Sequence, residues 1–258
     1  GTKTKEHTLS MYIMDIAYYD FNGNRVFDGD IGRYIDVLTT ADNFESRVVD
    51  NNYVAAYFPN IVIDDTANNR KVVVPASVGS LAALGYNDRV AFPWFAPAGF
   101  NRAALDFVTL TQVRINQPER DRLTEVKINP IVKFPREGHV IMAQNTFQQA
   151  KSALSSINVK RMVLDVKKTI VDIANRFIFD QISTQTRTEL VKRFTAVLGG
   201  VQTKAGIEMF KVVCDDTNNT QADIDANRMN VQIRMIPTRS VEIIAIDFIV
   251  TQSGVQFV

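Results

Sequence analysis

Along the first half of the chain, apolar residues come in short runs separated by turn residues. Leu9 to Tyr19 reads as an apolar strand or short helix. Asp20 to Gly32 is turn-rich, with Asn22-Gly23-Asn24 and Asp28-Gly29-Asp30. Arg33 to Leu38 fits neither period, and Ala41 to Val49 predicts a helix capped by Asp42. Tyr53 to Ile63 is a buried strand interrupted at Pro59. Asp64 to Arg70 is a polar turn, and Lys71 to Val74 returns as a strand. Pro75 and Ser77 open a helix whose apolar face is Val78, Leu81, Ala82 and Leu84, with Gly85 as its stop. Its many small residues suit close packing on a sheet. Ala103 to Leu110 predicts a strand, and Gln117 to Thr124 a short polar helix. Ile128 to Phe147 predicts a strand, a turn at Pro135-Arg136-Glu137-Gly138, and a second strand.

The second half changes period. Val159, Met162, Val163, Val166, Ile170, Ile173, Ala174 and Phe177 recur on one helical face, predicting a helix over Val159 to Asp180. Its other face offers Arg161 with Asp165, and Lys168 with Asp172 and Arg176, as (i, i+4) pairs worth a few tenths of a kcal/mol each. Thr186-x-x-Glu189 is a capping box for a helix buried through Leu190, Phe194, Val197 and Leu198 and ended by Gly199-Gly200. Met209 to Val213 is an apolar run, and Asp215 to Asn227 a polar loop. Met229, Val231, Ile233 and Met235 alternate as a half-buried strand. Val241 to Val250 is apolar at almost every position, the pattern of a strand covered on both faces. The expected fold is α/β (mixed α+β), a mixed sheet core flanked by helices near 75–85, 159–180 and 186–198, with an extended terminal arm.

The chain has 258 residues, of which 46% are hydrophobic and 22% charged, enough for a sizeable core in one large domain or two small ones. A net charge of +1 gives no global basic field for nucleic acid. One cysteine, Cys214, rules out an intramolecular disulfide framework and fits a reducing compartment. No apolar run reaches the length of a membrane span, and the opening residues carry no secretory signal pattern. The abrupt start before an apolar segment is expected to be the cut edge of a longer protein.

Candidate chemistry is sparse. Asp28-Gly29-Asp30 lacks the later Gly and Glu of an EF-hand, so it reads as a solvated turn. The helix start at Pro75 lacks both phosphate-loop patterns. His7 and His139 have no metal partner at ligand spacing. Cys214 precedes Asp215 and Asp216, whose charge raises a thiol pKa, so it reads as structural rather than nucleophilic. Asp215, Asp216, Asp223 and Asp225 either gather around a cation or cap a loop; turns and helix starts use Asp in the second way. No cofactor, metal or catalytic residue is assigned.

Four ordered stretches carry a resemblance. They are Val74-Pro75-Ala76-Ser77 with Asp88-Arg89 and Trp94-Phe95-Ala96-Pro97-Ala98; Ile128-Asn129-Pro130-Ile131 with Phe134-Pro135, Gly138, Val140-Ile141 and Thr146; Ile157-Asn158-Val159-Lys160-Arg161; and Val212-Val213-Cys214-Asp215-Asp216-Thr217-Asn218 with Asp223-Ile224-Asp225 and Arg228. Together they resemble the core and C-terminal region of contractile tail sheath proteins of phages and related injection particles.

The resemblance implies a structural subunit, not an enzyme. It implies a homo-oligomer of hexameric rings stacked helically around an inner tail tube, whose contraction drives the tube through a target envelope. Other implied partners are baseplate and tail terminator proteins, with no nucleic acid and no direct membrane insertion. The implied location is the virion tail or an equivalent extracellular particle, assembled in the host bacterial cytoplasm. It divides the chain into a central α/β region, 1–134, and a C-terminal domain, 135–258, ending in an arm at 251–258. Subunit-to-subunit strand addition is expected through Val241, Ile243, Ile244, Ile246, Phe248, Val250, Val255 and Phe257. A tube contact is expected at Arg187, Lys192, Arg193 and Lys204, opposed nearby in sequence only by Glu189. An α/β enzyme with an unrecognised site, or a non-contractile structural domain, remain as alternatives that microscopy of the expressed protein separates.

Overall fold

A computed structural model describes residues 9–26 and 34–242 of the chain. The first strands are β1 (Tyr12–Met14), β2 (Tyr18–Tyr19) and β3 (Arg25–Val26), followed by helix α1 (Val37–Glu45). Then come β4 (Val54–Phe58), β5 (Ile61–Asp65), β6 (Arg70–Val74), α2 (Ala76–Val90), β7 (Leu110–Thr111) and α3 (Gln117–Glu125). The remainder is β8 (Ile128–Phe134), β9 (Gly138–Ile141), α4 (Ile157–Ala174), α5 (Thr184–Thr203), β10 (Ile207–Val213), α6 (Gln221–Asp225) and β11 (Gln232–Pro237). The fold is mixed α/β, as the patterning implies.

The central sheet has the order β1-β4-β8-β9; β1, β4 and β8 run parallel, and β9 returns antiparallel to β8. Both faces are covered, and period-two alternation divides β4 between two cores. Ala56 and Phe58 pack with Ala41 and Phe44 of α1 and Leu123 of α3, whereas Ala55 and Tyr57 pack with Ala76 and Ala83 of α2. Gly79 explains the need for small residues on α2: a Cβ there would stand 3.2 Å from Ile61 Cδ1 and 3.3 Å from Leu105 Cδ1. Asn129, fully buried in β8, donates to the carbonyls of Ala56 and Asn145 and accepts from the Asn145 amide, so its burial costs no unpaired group. The division expected at 134/135 falls in the β8–β9 turn, between two strands of this sheet.

Several expected boundaries are corrected. Helix α1 starts earlier than Ala41, capped by Asp36, whose carboxylate accepts from the Thr39 amide at 2.7 Å; Asp42 instead pairs with Arg122. Helix α2 runs through Gly85 to Val90, and α5 runs through Gly199-Gly200 to Thr203. A glycine stops a helix by taking the left-handed conformation; none of these three has a positive φ, and α5 is ended by Ala205 at φ 58°. The α5 cap is Ser183 rather than Thr186. Of the stretch Ala103 to Leu110, only Leu110 enters a strand, as the start of β7; the rest is a loop tied to β9 by one bridge, Ala104 to Val140. Its apolar residues Ala103, Leu105 and Val108 serve burial rather than a ladder.

A third core lies C-terminal to these, where Met162 and Val166 of α4 meet Leu198 and Val201 of α5 and Ile207 of β10. Helix α4 ends at Ala174, short of the expected Asp180, and passes into a single 3-10 turn at Asn175–Phe177. Arg161 reaches from α4 to Asp88 of α2 at 2.5 Å rather than to Asp165 on its own helix.

Candidate assembly surface

Strands β10 and β11 form a separate two-stranded antiparallel sheet. Ile207, Phe210 and Val212 of β10, with Ile233 and Met235 of β11, face the α4–α5 layer. The step from Ile207 to Phe210 breaks strict alternation because a bulge lies between Ile207 and Met209. The opposite face is open to solvent: Met209 is 62% exposed and its cross-strand partner Ile236 is 52% exposed. Lys211 faces Arg234 there, two like charges directly opposed. Among the described residues neither outer edge of this sheet carries another strand. An open edge presents a row of unpaired amides and carbonyls, which is a template for strand addition.

The loop joining the two strands is held by its own polar groups. Asn219 donates to the Asn230 carbonyl and accepts from the Asn230 amide at 2.6 Å, and Asn218 bridges the carbonyls of Val213 and Asn230. Thr220 and Asp223 form the capping box of α6. Hydrogen bonds from Thr217 and Thr220 hold the carboxyls of Asp215 and Asp223 below the usual range. Asp225 pairs with Gln221, and Asp216 with Arg187. The four carboxylates therefore cap and pin the loop, and among the described residues no His, Cys, Asp or Glu cluster is arranged to hold a metal ion. Cys214 is buried, and burial, more than the neighbouring Asp215, pushes its thiol pKa up. His139 is also buried, and burial lowers its pKa.

Beside β11 the helix layer is incompletely covered. An open apolar groove of about 1020 Å³ runs between the end of α4, the 177–182 segment, the start of α5 and the entry to β11. Val171, Phe177, Phe179, Leu190, Phe194 and Ile233 line it. Phe179 is fully exposed at its lip with φ 77°, a conformation that is an outlier for a bulky side chain. Periodicity misassigned this segment by continuing the α4 helix through it. The available signal was Phe177-Ile178-Phe179, three consecutive large apolar residues that no single helical face can bury.

The four expected tube-contact cations do not share one face of α5. Lys192 and Arg193 lie about 140° and 240° round the helix from Arg187. The expectation that only Glu189 opposes them is corrected: Arg187 bonds Asp216 at 2.6 Å with its side chain 12% exposed. Arg193 pairs with Glu189 and stands over the Phe177 ring. Lys204 lies over Phe92, and its carbonyl accepts from Trp94 Nε1 at 2.9 Å. That contact belongs to a joint between the two parts of the molecule, which spacing did not reveal. Asn158 of α4 donates to the Trp94 carbonyl and to the Ser240 hydroxyl, and Gly206 lies directly beneath the Trp94 ring. Of the expected strand-addition residues, Val241 is exposed and outside any strand. Ile243, Ile244, Ile246, Phe248, Val250, Val255 and Phe257 lie outside the described residues.

No family model matches the chain. It is 35% identical over 237 residues to the tail sheath protein of Vibrio phage KVP40, covering 92% of this chain and 33% of that protein. It is 31% identical over 189 residues to the tail sheath protein of Enterobacteria phage T4, covering 73% of this chain and 28% of that protein. The chain thus spans about a third of the length of these curated relatives. Its fold matches a chain from the sheath complex of an extracellular contractile injection system, PVC, in the contracted state. The TM-score is 0.73 at 20% identity, over 84% of this chain and 61% of that one.

Proposed function

The chain is a homologue of phage tail sheath proteins corresponding to part of their length, and on that basis we propose that it is the core and C-terminal portion of a contractile sheath subunit. Copies polymerise as hexameric rings stacked around an inner tube, and contraction of the stack drives the tube through a target envelope. The observation that carries this reading is the two-stranded β10–β11 sheet, covered on one face and open at both outer edges among the described residues. Such a sheet is completed by strands from neighbouring copies, and backbone ladders of that kind survive rigid-body rotation of the subunits about flexible connections. The arm that supplies the strand is Val241 to Val250 with its extension to Val258. Baseplate and terminator proteins cap the polymer, and the assembled particle is a virion tail or a related extracellular device.

The tube-facing surface is proposed to include the α5 cations. Among the described residues Lys192 forms no salt bridge and only adds to the field on Glu189, so it contributes more than Arg187, whose charge is met by Asp216. Exposed pairs with a tube would be individually weak, which suits contacts that must break on contraction.

Negative-stain microscopy beside circular dichroism tests the reading. Full-length protein is expected to form sheaths, and a protein lacking residues 251–258 is expected to fold as before and fail to polymerise. Long sheaths from the truncated protein would remove the arm from the assembly, and lost ellipticity would place it in the subunit's own core.

A further inference from the structure

We propose that a cleft lined by β1, β4, α2 and α4 is a binding site for a small neutral molecule with an apolar body and one hydrogen-bond-accepting oxygen, such as a ketone. The cleft lies on the first sheet, apart from β10 and β11, so the inference is independent of the strand-addition reading above.

Three observations converge. The first is the space. The cavity measures about 500 Å³, inside the ~300–1,000 Å³ range of small-molecule sites. Ile13 of β1, Ala55 of β4, Leu84 of α2, and Ile157 and Leu164 of α4 form its apolar wall. Ala55 and Ile157 are buried core residues, so the cleft reaches down to the core instead of skimming the surface. The Arg161–Asp88 bridge ties together the two helices that flank it. The second is Tyr57, which lines the same cavity. Tyr57 and Tyr18 are equally buried, each 2% exposed. The Tyr18 hydroxyl donates to Asn60 Oδ1 at 2.5 Å. The Tyr57 hydroxyl has no hydrogen-bond partner among the described residues. Its oxygen is also absent from the unpaired polar atoms that protein encloses completely, so it meets the cavity. A buried phenol ordinarily finds a partner, and one left at the wall of an apolar cavity is a vacant polar contact.

The third is the charge balance, which selects the ligand. Arg161 stands close enough for its charge to act on the Tyr57 phenol, and its Nη1 is buried without a partner. A guanidinium only donates, so a ligand oxygen that accepts suits both residues, whereas a ligand donor would be opposed by Arg161. Burial pushes the Tyr57 pKa above its ordinary value, so the phenol keeps its proton and donates at neutral pH. A charged ligand is disfavoured. Arg161 and Lys168 line the cavity with Asp88 and Asp165, two cations against two carboxylates, and Asp88 already meets Arg161 at 2.5 Å. An ion entering would exchange water for an apolar wall with no net opposite charge.

The test uses three probes of similar shape: acetophenone, ethylbenzene, which lacks the oxygen, and benzoate, which carries a charge in its place. In an NMR titration acetophenone is expected to saturate and to show contacts with the methyl groups of Ile13 and Leu164. Tyr57→Phe keeps the ring and removes the hydroxyl. It is expected to weaken acetophenone by roughly five- to tenfold, the worth of one hydrogen bond, and to leave ethylbenzene within about twofold. Benzoate is expected to bind the parent at least about tenfold more weakly than acetophenone. Leu84→Trp, which fills the cavity, is expected to remove binding of all three with unchanged circular dichroism. Acetophenone that fails to saturate, or that binds Tyr57→Phe as well as the parent, would overturn the site. Equal losses of acetophenone and ethylbenzene in Tyr57→Phe would overturn the role of the hydroxyl, and benzoate binding as tightly as acetophenone would overturn the neutral ligand.

Discussion

The β1-β4-β8-β9 sheet and the β10–β11 sheet are built from comparably apolar strands, yet one is closed and the other is open. Phe58 and Tyr57 of the first enter separate cores on opposite faces, under α1 with α3 and under α2. In the second, Phe210 and Met235 face a helix layer while Met209 and Ile236 face water. The first sheet buries most of its apolar surface within one chain, with Tyr12 of edge strand β1 left exposed. The open one leaves apolar surface on its outer face and beside β11, and among the described residues no further strand joins either edge. On the proposed reading the difference separates stability from assembly: the first region holds the fold, and the second carries the surface proposed to bind a neighbour.

The largest expected effects therefore lie in the closed region. Phe58 is fully buried against Tyr18, with ring centroids 5.1 Å apart. Phe58→Ala is expected to cost about 3–5 kcal/mol through lost burial and the cavity left behind. Ile236→Ala on the open sheet is expected to cost under ~1 kcal/mol in the isolated subunit, since a half-exposed side chain loses little on removal. Urea midpoints of the two variants measure the contrast. Similar losses at both positions would mean that the open face is already covered within the subunit.

How much of this was readable follows from what each pattern depends on. The continuous burial of β4 and β8, the β8–β9 hairpin and the start of α4 follow from local periodicity, and the sequence carried them. Helix ends did not, because glycine is only permissive. Gly85, Gly199 and Gly200 sit in helical conformation, whereas Ala205, with no such licence, takes the positive φ that ends α5. The capped loop at Asp215 and Asp223 was legible because its hydrogen bonds span two or three residues. The Arg187–Asp216 pair, the groove and the Trp94 joint were not, because their members are brought together from distant segments by tertiary packing. Arg187 looked uncompensated only for want of a residue 29 positions away.

The joint between the regions gives the next prediction. A Cβ on Gly206 would stand 2.6 Å from Val201 Cγ1 and 3.0 Å from the Trp94 ring. Gly206→Ala is expected to destabilise by about 1–3 kcal/mol, the usual range for overpacking. Trp94 is the chain's one tryptophan, so its emission reports the joint directly. The expected signature is a red shift as the indole gains solvent. A stable variant with unchanged emission would show that the joint accommodates the methyl group and does not fix how the open sheet sits on the closed one.

A pH-dependent link crosses between the same regions. Lys160 of α4 is buried, donates to Asn52 Oδ1 at 2.9 Å, and lies 3.2 Å above the Tyr53 ring, just before β4. Burial, with the charge of Lys167 adding, pushes its pKa from 10.5 down to about 8. Between those values the unfolded chain keeps a proton that the folded chain has released. Stability contributed at this site therefore rises as pH goes from about 8 to 10.5, and is lowest below that window. The difference in urea midpoint between the parent and Lys160→Met isolates the effect, because other titrations are common to both. A difference that stays flat across the window would mean that the Asn52 and Tyr53 contacts hold the ammonium charged as firmly as water does.

The smallest expected effect bears most directly on why the second sheet stays open. Lys211 and Arg234 are directly opposed on its outer face, and Arg234 bonds Gln232 rather than a carboxylate. Like charges across an antiparallel pair are unfavourable, and an opposite-charge pair there contributes roughly 0.2–1 kcal/mol. Lys211→Glu is thus expected to stabilise the isolated subunit by a few tenths of a kcal/mol, read as a slightly higher urea midpoint. If the face serves only the subunit, nothing is lost with that gain. If it meets acidic groups on a neighbour, the same change weakens sheath assembly, and more strongly at low salt, where exposed charges act over longer range. Opposite movement of the two readouts is the expected result. It would show a pair left repulsive in the monomer because its partner arrives with the next copy. A more stable subunit that also assembles as well as its parent would assign the outer face to solvent.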